Sequence, residues 1–202
     1  GISQSVEAFY KDYRCGLPEE IKQSKPATGQ KAALIHYGKQ YIDENDIEAV
    51  ASVLRSDRIT QGPKVEEFEK TLSEYCGAEY AVAVNSGTSA LHIACLAADF
   101  KDGDEAITSP ITFVASANCA VYCRAKPVFA DIDPKTYNMA PEEIGRKITG
   151  RTKAVIPVHF AGQSCDMESI HRIVKEKEKE FSSKIFVIED ACHALGSLYK
   201  KK

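Results

Sequence analysis

An α/β fold with a mainly parallel sheet and helices on both faces is what this sequence predicts, on three observations. Short apolar runs alternate along the chain with amphipathic segments at helical spacing, the pattern of consecutive βαβ units. The run Ile185-Phe186-Val187-Ile188 is continuous rather than alternating, which reads as a strand buried on both faces, as in a parallel sheet. That run ends on Glu189-Asp190, so a carboxylate would stand at the carboxyl edge of the sheet, where open α/β folds bind ligands.

The elements follow in order. Residues 1–33 carry turn residues such as Gly16-Leu17-Pro18 and no sustained period, and read as an arm or linker, with a short helix around Val6–Tyr10 as the alternative. Residues 34–202 then form the domain. Asp43 is a helix N-cap, followed by Ile47, Val50, Ala51 and Leu54 at helical spacing. Thr60-Gln61-Gly62-Pro63 breaks the chain before a second helix carrying Val65, Phe68, Leu72 and Tyr75. Tyr80–Val84 reads as a strand, and the turn Asn85-Ser86-Gly87 leads into a helix over 88–96. Strands at 105–108, 127–132, 154–159 and 185–188 alternate with helices at 115–122, 141–148 and 166–181.

Composition narrows the function. With 202 residues, 44% hydrophobic and 27% charged, the chain can build a core of its own. A net charge of −3 without a basic stripe argues against a nucleic-acid partner. The run Lys175–Glu180 alternates in sign and reads as a solvated helix face. Seven cysteines without a Cys-x-x-Cys pair, several in apolar surroundings (Cys95, Cys119, Cys123, Cys192), suggest buried thiols in a reducing compartment rather than zinc ligands. No signal peptide and no bilayer-length apolar run is evident, so the expected location is the cytoplasm, without a membrane partner.

Two features carry chemistry. A buried Asp190 is costly unless a cation meets it: a metal, an arginine or a protonated heterocycle. Asn85-Ser86-Gly87-Thr88-Ser89-Ala90 joins a strand to a helix, with a glycine able to adopt positive φ and amides at Gly87, Thr88 and Ser89 suited to a phosphate. The same hexapeptide also suits a simple capped helix start. It is neither a Walker loop nor a Gly-x-Gly-x-x-Gly fingerprint. Taken together, an anion anchor and a cation anchor on one sheet edge fit a small planar ligand with a phosphate at one end and a basic ring nitrogen at the other. Pyridoxal 5′-phosphate is such a molecule.

Five segments in order strengthen this reading: Thr60-Gln61-Gly62-Pro63, Asn85–Ala90, Ser109-Pro110-Ile111-Thr112-Phe113, Pro157-Val158-His159-Phe160-Ala161-Gly162 and Glu189-Asp190-Ala191-Cys192-His193. With them the chain resembles the DegT/DnrJ/EryC1/StrS family of pyridoxal-phosphate-dependent nucleotide-sugar aminotransferases, of fold type I, over roughly residues 35–200. The resemblance implies that Gly87, Thr88 and Ser89 hold the cofactor phosphate, Phe113 stacks on its ring, Asp190 pairs with the ring nitrogen and His193 approaches the ring 3′-oxygen. It puts Thr60 in a loop near the sugar-nucleotide site, with an ordinary helix-to-helix turn as the alternative; His159, at the end of a buried-type strand on the same sheet edge, either lines the site or supports and packs behind it. It implies glutamate as amino donor, a nucleotide-linked (UDP) 4-keto-6-deoxy sugar as acceptor, and a homodimer.

The Schiff-base lysine expected of the family would fall beyond Lys202, and so would the smaller C-terminal domain. The 202-residue chain is therefore expected to be inactive alone and to hold the cofactor weakly at most. Two alternatives stand beside the aminotransferase: a dehydratase of the same family, decided by the residue at that lysine position, and an inactive relative serving as a binding module.

Overall fold

The computed structural model describes residues 40–200, in two units dividing between Ile59 and Thr60. The predicted arm over 1–33, its boundary at residue 34 and the helix around Val6–Tyr10 lie outside the described residues. The first unit holds α1 (Glu44–Leu54). Asp43 caps it as predicted: its carboxylate accepts from the amides of Asn45 and Asp46, while the Asp46 carboxylate accepts from the Asp43 amide. This reciprocal box satisfies donors that the first helical turn cannot. The apolar stripe Ile47, Val50 and Leu54 is exposed.

The second unit opens with α2 (Pro63–Cys76), which starts at a proline that surrenders no hydrogen bond and ends at Gly77 in the left-handed region, φ 64°. Next come α3 (Gly87–Ala97), β1 (Glu105–Thr108), α4 (Ala115–Tyr122), β2 (Lys126–Phe129) and α5 (Pro141–Lys147). Then follow β3 (Thr152–Ile156), a 3-10 turn (Phe160–Gly162), α6 (Met167–Phe181) and β4 (Phe186–Val187).

All four strands pair in parallel, in the order β2-β1-β3-β4. Alternate side chains of β1 and β3 feed two cores, as the pleat requires. On one face Ala106, Ala154 and Ile156 pack with Leu91 and Cys95 of α3 and Cys119 and Ala120 of α4. On the other, Ile107 and Val155 pack with Ile144 of α5 and Ile170 and Val174 of α6. The small residues of α4 bring it close to the sheet, and Ala115, Ser116, Ala117, Cys119 and Ala120 are buried. Because α4 leaves β1 over one face and α6 leaves β3 over the other, the carboxyl ends of these neighbours part. A ligand crevice forms at such a switch point.

The structure corrects several sequence expectations. Tyr80–Val84 forms no strand among the described residues; the Ala83 amide donates instead to Glu69 Oε1 at 2.8 Å, and Tyr80 and Val82 are 79% and 76% exposed. An extended apolar segment becomes a strand only when a neighbouring backbone completes its ladder, and no described strand does so there. The final strand is not buried on both faces: Ile185 is buried but Phe186, Val187 and Ile188 are partly exposed, since β4 has β3 alone as a described neighbour. The predicted strand at 127–132 ends at Phe129, and Ile132 instead forms an isolated antiparallel bridge with Met139. Among the described residues no helix is long and apolar enough to cross a membrane.

At the amino edge of the sheet, the buried Glu105 carboxylate accepts from Thr149 Oγ1 (2.6 Å) and Arg151 Nη2 (2.7 Å). The Thr149 bond first, then Arg151, pulls the Glu105 carboxyl below its ordinary 4.5. A carboxyl depressed in the folded state stabilises it fully above the unfolded value, and that contribution vanishes as pH falls through the folded one. We therefore expect Glu105→Gln to cost about 1–3 kcal/mol in urea melts at neutral pH, on the scale of charged hydrogen bonds. The gap between wild type and variant should narrow below pH 4.5. A gap that stays constant down to acid pH would show that the charge contributes nothing.

Candidate active site

Asp190 lies just past β4, where the pairing with β3 is extended by a parallel bridge between Val158 and Asp190. Its amide donates to the Pro157 carbonyl (2.8 Å) and its carbonyl accepts from the His159 amide (3.1 Å). The backbone carrying the carboxylate is thus part of the sheet. The residue is 7% exposed. Its Oδ2 accepts a 2.6 Å bond from Ser116 Oγ on α4, and its Oδ1 a longer 3.3 Å bond from the Cys192 amide. Among the described residues no lysine, arginine or histidine forms an ion pair with it. A buried carboxylate held by two neutral donors leaves acceptor capacity for a cationic partner.

Sequence reasoning missed Ser116. The signal was there in hindsight: it is the one hydroxyl among the buried residues of α4, and a buried hydroxyl needs a partner. Ser116 also meets Thr112 Oγ1 at 2.8 Å, tying the Ser109–Phe113 segment to the same place. The Phe113 ring stands in solvent, 74% exposed, so it is not a core residue and its face is open to a ligand.

The helix start lies on the same edge. Ser86 caps α3, its Oγ accepting from the Ser89 amide at 3.2 Å. The expectation of three outward amides is therefore corrected: the Ser89 donor serves the cap, while those of Gly87 and Thr88 form none of the described backbone bonds. The Ser89 hydroxyl turns back to Asn85 Oδ1 (2.6 Å). Gly87 is also not a positive-φ glycine as foreseen; it begins the helix. Its requirement is steric, because a Cβ there would lie 2.7 Å from Cys192 Sγ. Cys192 follows Asp190 by two residues, so the helix start packs against the turn that carries the carboxylate. Contrary to expectation Cys192 is exposed, not buried. Its sulfur is nevertheless partly shielded from water, and this desolvation, then the Asp190 hydrogen bond, pushes the thiol up to about 11, which keeps it protonated at neutral pH.

The remaining predicted residues separate. His193 is exposed on the turn after Asp190, with its carbonyl 3.1 Å from where a Cβ on Gly162 would sit. His159 is 5% exposed and both ring nitrogens are engaged within the protein, Nδ1 with the Cys165 amide (3.0 Å) and Nε2 with Glu189 Oε2 (2.8 Å). It therefore offers a substrate no free polar atom. Thr60 is exposed beside Gln61, which adopts φ 47°, and no described hydrogen bond links it to the Asp190 edge.

These residues fit pyridoxal 5′-phosphate: a carboxylate short of a cation, two spare amides at a helix start and an exposed aromatic ring. Fold and site together define the class as that of the pyridoxal-phosphate-dependent enzymes of fold type I. Comparison with known proteins makes it specific. Residues 40–202 match the DegT/DnrJ/EryC1/StrS aminotransferase family, and the chain belongs to it. It is 44% identical over 159 residues to the UDP-4-amino-4-deoxy-L-arabinose–oxoglutarate aminotransferase of Shewanella sediminis, covering 79% of this chain and 39% of the relative. Among solved structures, Spr1654 of Streptococcus pneumoniae in its PMP form aligns with TM-score 0.75 and 34% identity, over 81% of this chain and 43% of that one. The same protein has been solved in PLP and apo forms. Helicobacter pylori PseC, an aminotransferase of pseudaminic acid biosynthesis, aligns with TM-score 0.71 and 37% identity, over 83% of this chain and 44% of that one. The chain spans about two-fifths of the length of the curated relatives it matches. Pyridoxal 5′-phosphate is the cofactor these findings support.

Proposed function

We propose that residues 34–202 are the cofactor-binding front portion of an aminotransferase that moves an amino group from glutamate to the C4 keto carbon of a nucleotide-linked 4-keto-6-deoxy sugar. The observation that carries the reading is the buried Asp190 carboxylate, without a cation among the described residues and joined through Cys192 to a helix start with two spare amides. With the cofactor bound, Asp190 would hold the proton on its ring nitrogen, and Ser116 fixes that carboxylate. The amides of Gly87 and Thr88, with the partial positive charge of the α3 N-terminus, receive the phosphate. The side chains of Thr88 and Ser89 would border the phosphate, Phe113 would cover one ring face and His193 would approach the 3′-oxygen. Bound there, the group supplies an electron sink for carbon–nitrogen chemistry.

The sugar assignment draws support from the relatives. The Shewanella protein's name couples a UDP-linked amino sugar to oxoglutarate, the product glutamate leaves behind, and PseC serves an amino-sugar pathway. Action as a cytoplasmic homodimer belongs to the same proposal. The test is a coupled assay on the full-length protein with pyridoxal 5′-phosphate and glutamate. Release of 2-oxoglutarate that depends on a UDP-linked 4-keto-6-deoxy-N-acetylhexosamine is the expected result. Release indifferent to the sugar, or none when it is present, overturns the assignment.

A further inference from the structure

Glu189 precedes Asp190 on an extended backbone, so the two carboxylates point to opposite faces of the sheet. Asp190 turns toward α4, where Ser116 meets it. Glu189 turns the other way, to His159, at the end of the segment that follows β3. The imidazole there has only one consistent protonation pattern. Nδ1 faces a backbone N–H, that of Cys165, and so must be the acceptor. The ring proton is then on Nε2 and is donated to Glu189 Oε2. This bond, first among the causes, holds the Glu189 carboxyl below its ordinary value, although Glu189 is itself half-exposed.

The bond spans two segments whose backbones already pair: the His159 amide donates to the Asp190 carbonyl, and the Asp190 amide to the Pro157 carbonyl. The loop beyond is tied in as well. Cys165 Sγ donates to the Val158 carbonyl (3.2 Å), and the buried Asn138 holds the turn through the Phe160 amide and the Gln163 carbonyl, each at 3.0 Å. A strand of only two regular residues, β4, therefore ends in a stretch clamped by side chains from its far face.

We propose that His159 and Glu189 are positioning residues: His159, protonated on Nε2 alone, ties the loop after β3 to Glu189 and so fixes the strand end that aims Asp190 at its cationic partner. The proposal rests on the reading that Asp190 meets a protonated ring nitrogen. Neither residue touches the ligand. They act through the backbone on either side of Asp190.

Three variants separate the links. Glu189→Gln keeps an acceptor for Nε2–H, Glu189→Ala removes it, and His159→Asn keeps an acceptor for the Cys165 amide while losing the reach to Glu189. The ligand-free readouts come first. In the wild-type protein, nitrogen NMR of labelled histidine should show one protonated ring nitrogen for His159, Nε2, at neutral pH. Hydrogen exchange of the Asp190 and His159 amides should speed roughly five- to tenfold in Glu189→Ala and His159→Asn, the scale of one lost hydrogen bond, and recover in Glu189→Gln. The Val155 amide, inside the sheet, should not change. A ring protonated on Nδ1, or exchange that rises equally throughout the sheet, overturns the proposal.

The second readout is affinity for pyridoxal 5′-phosphate against a carbocyclic analogue with CH in place of the ring nitrogen. Glu189→Ala and His159→Asn should weaken the first roughly tenfold and leave the second nearly unchanged, since only the first uses Asp190. A merely structural role weakens both alike, and that outcome overturns the positioning role. Asp190→Asn serves as the control. If it too fails to discriminate the two compounds, the cofactor reading falls; if it alone discriminates, only the positioning proposal falls.

Discussion

Asp190→Asn should lower affinity for pyridoxal 5′-phosphate by roughly two orders of magnitude or more while leaving the free protein as stable as before, or more so. The two halves of this expectation have one cause. Asp190 is 7% exposed and held by neutral donors, the Ser116 hydroxyl at 2.6 Å and the Cys192 amide at 3.3 Å. Without a ligand, the charge is buried without an opposing ion among the described residues, an arrangement that stabilises nothing by itself. Asparagine keeps one oxygen for Ser116 and sheds the charge, so the unfolding midpoint should hold or rise. With the ligand present, the variant loses one partner of a buried ion pair, a loss on the order of 3–5 kcal/mol. Stability and binding should therefore move in different directions, as expected where a functional group is kept at a cost to the fold. Fluorescence titration and urea melts read both. A variant that binds as well as wild type, or one that simply unfolds, would remove Asp190 from its assigned place.

The second large effect belongs to Gly87. A methyl group added there would start 2.7 Å from Cys192 Sγ, closer than real Cβ contacts come, so the helix start or the 190–193 turn must shift. Overpacking of this kind costs about 1–3 kcal/mol. The displacement falls on the amides that would receive the phosphate, so binding should suffer along with stability. Gly87→Ala should weaken pyridoxal 5′-phosphate and inorganic phosphate alike. Cys192→Ala should have the smaller effect, because it removes only a weak thiol bond to Asp190 and leaves the Ser116 hydroxyl and the residue-192 amide on that carboxylate. The double variant should recover most of the loss, a coupling of about 1–2 kcal/mol between residues in contact. Strict additivity would mean that the glycine is there for another reason.

Hidden from sequence reading were the contacts between elements distant along the chain. Alternation and capping signals suffice for α1, α2 and α4, since Asp43, Pro63 and a cluster of alanines act within a turn or two of themselves. Tyr80–Val84 shows the limit of that logic: its short apolar run is that of a strand, but a strand needs a second backbone, and local pattern does not say which. Ser116 lies 74 residues from Asp190, His159 lies 30 from Glu189, and no periodicity links members of either pair. The reason assigned to Gly87 failed likewise. Flexibility is a local property of glycine, whereas the contact with Cys192 exists only once α3 and the end of β4 are side by side.

The sequence by itself determined the layered α/β architecture, the helix boundaries and the presence of an acid at a strand's end and a capped turn before a helix. Those are short-range matters, set by hydrophobic period and by side chains bonding to their own backbone. Only the tertiary structure decided that the two motifs share one edge, which amides remain spare, which histidine nitrogen carries a proton and that Asp190 is buried without a counter-ion among the described residues. Burial and pairing arise from the approach of segments far apart in the chain, and their energies depend on distances that no linear pattern encodes.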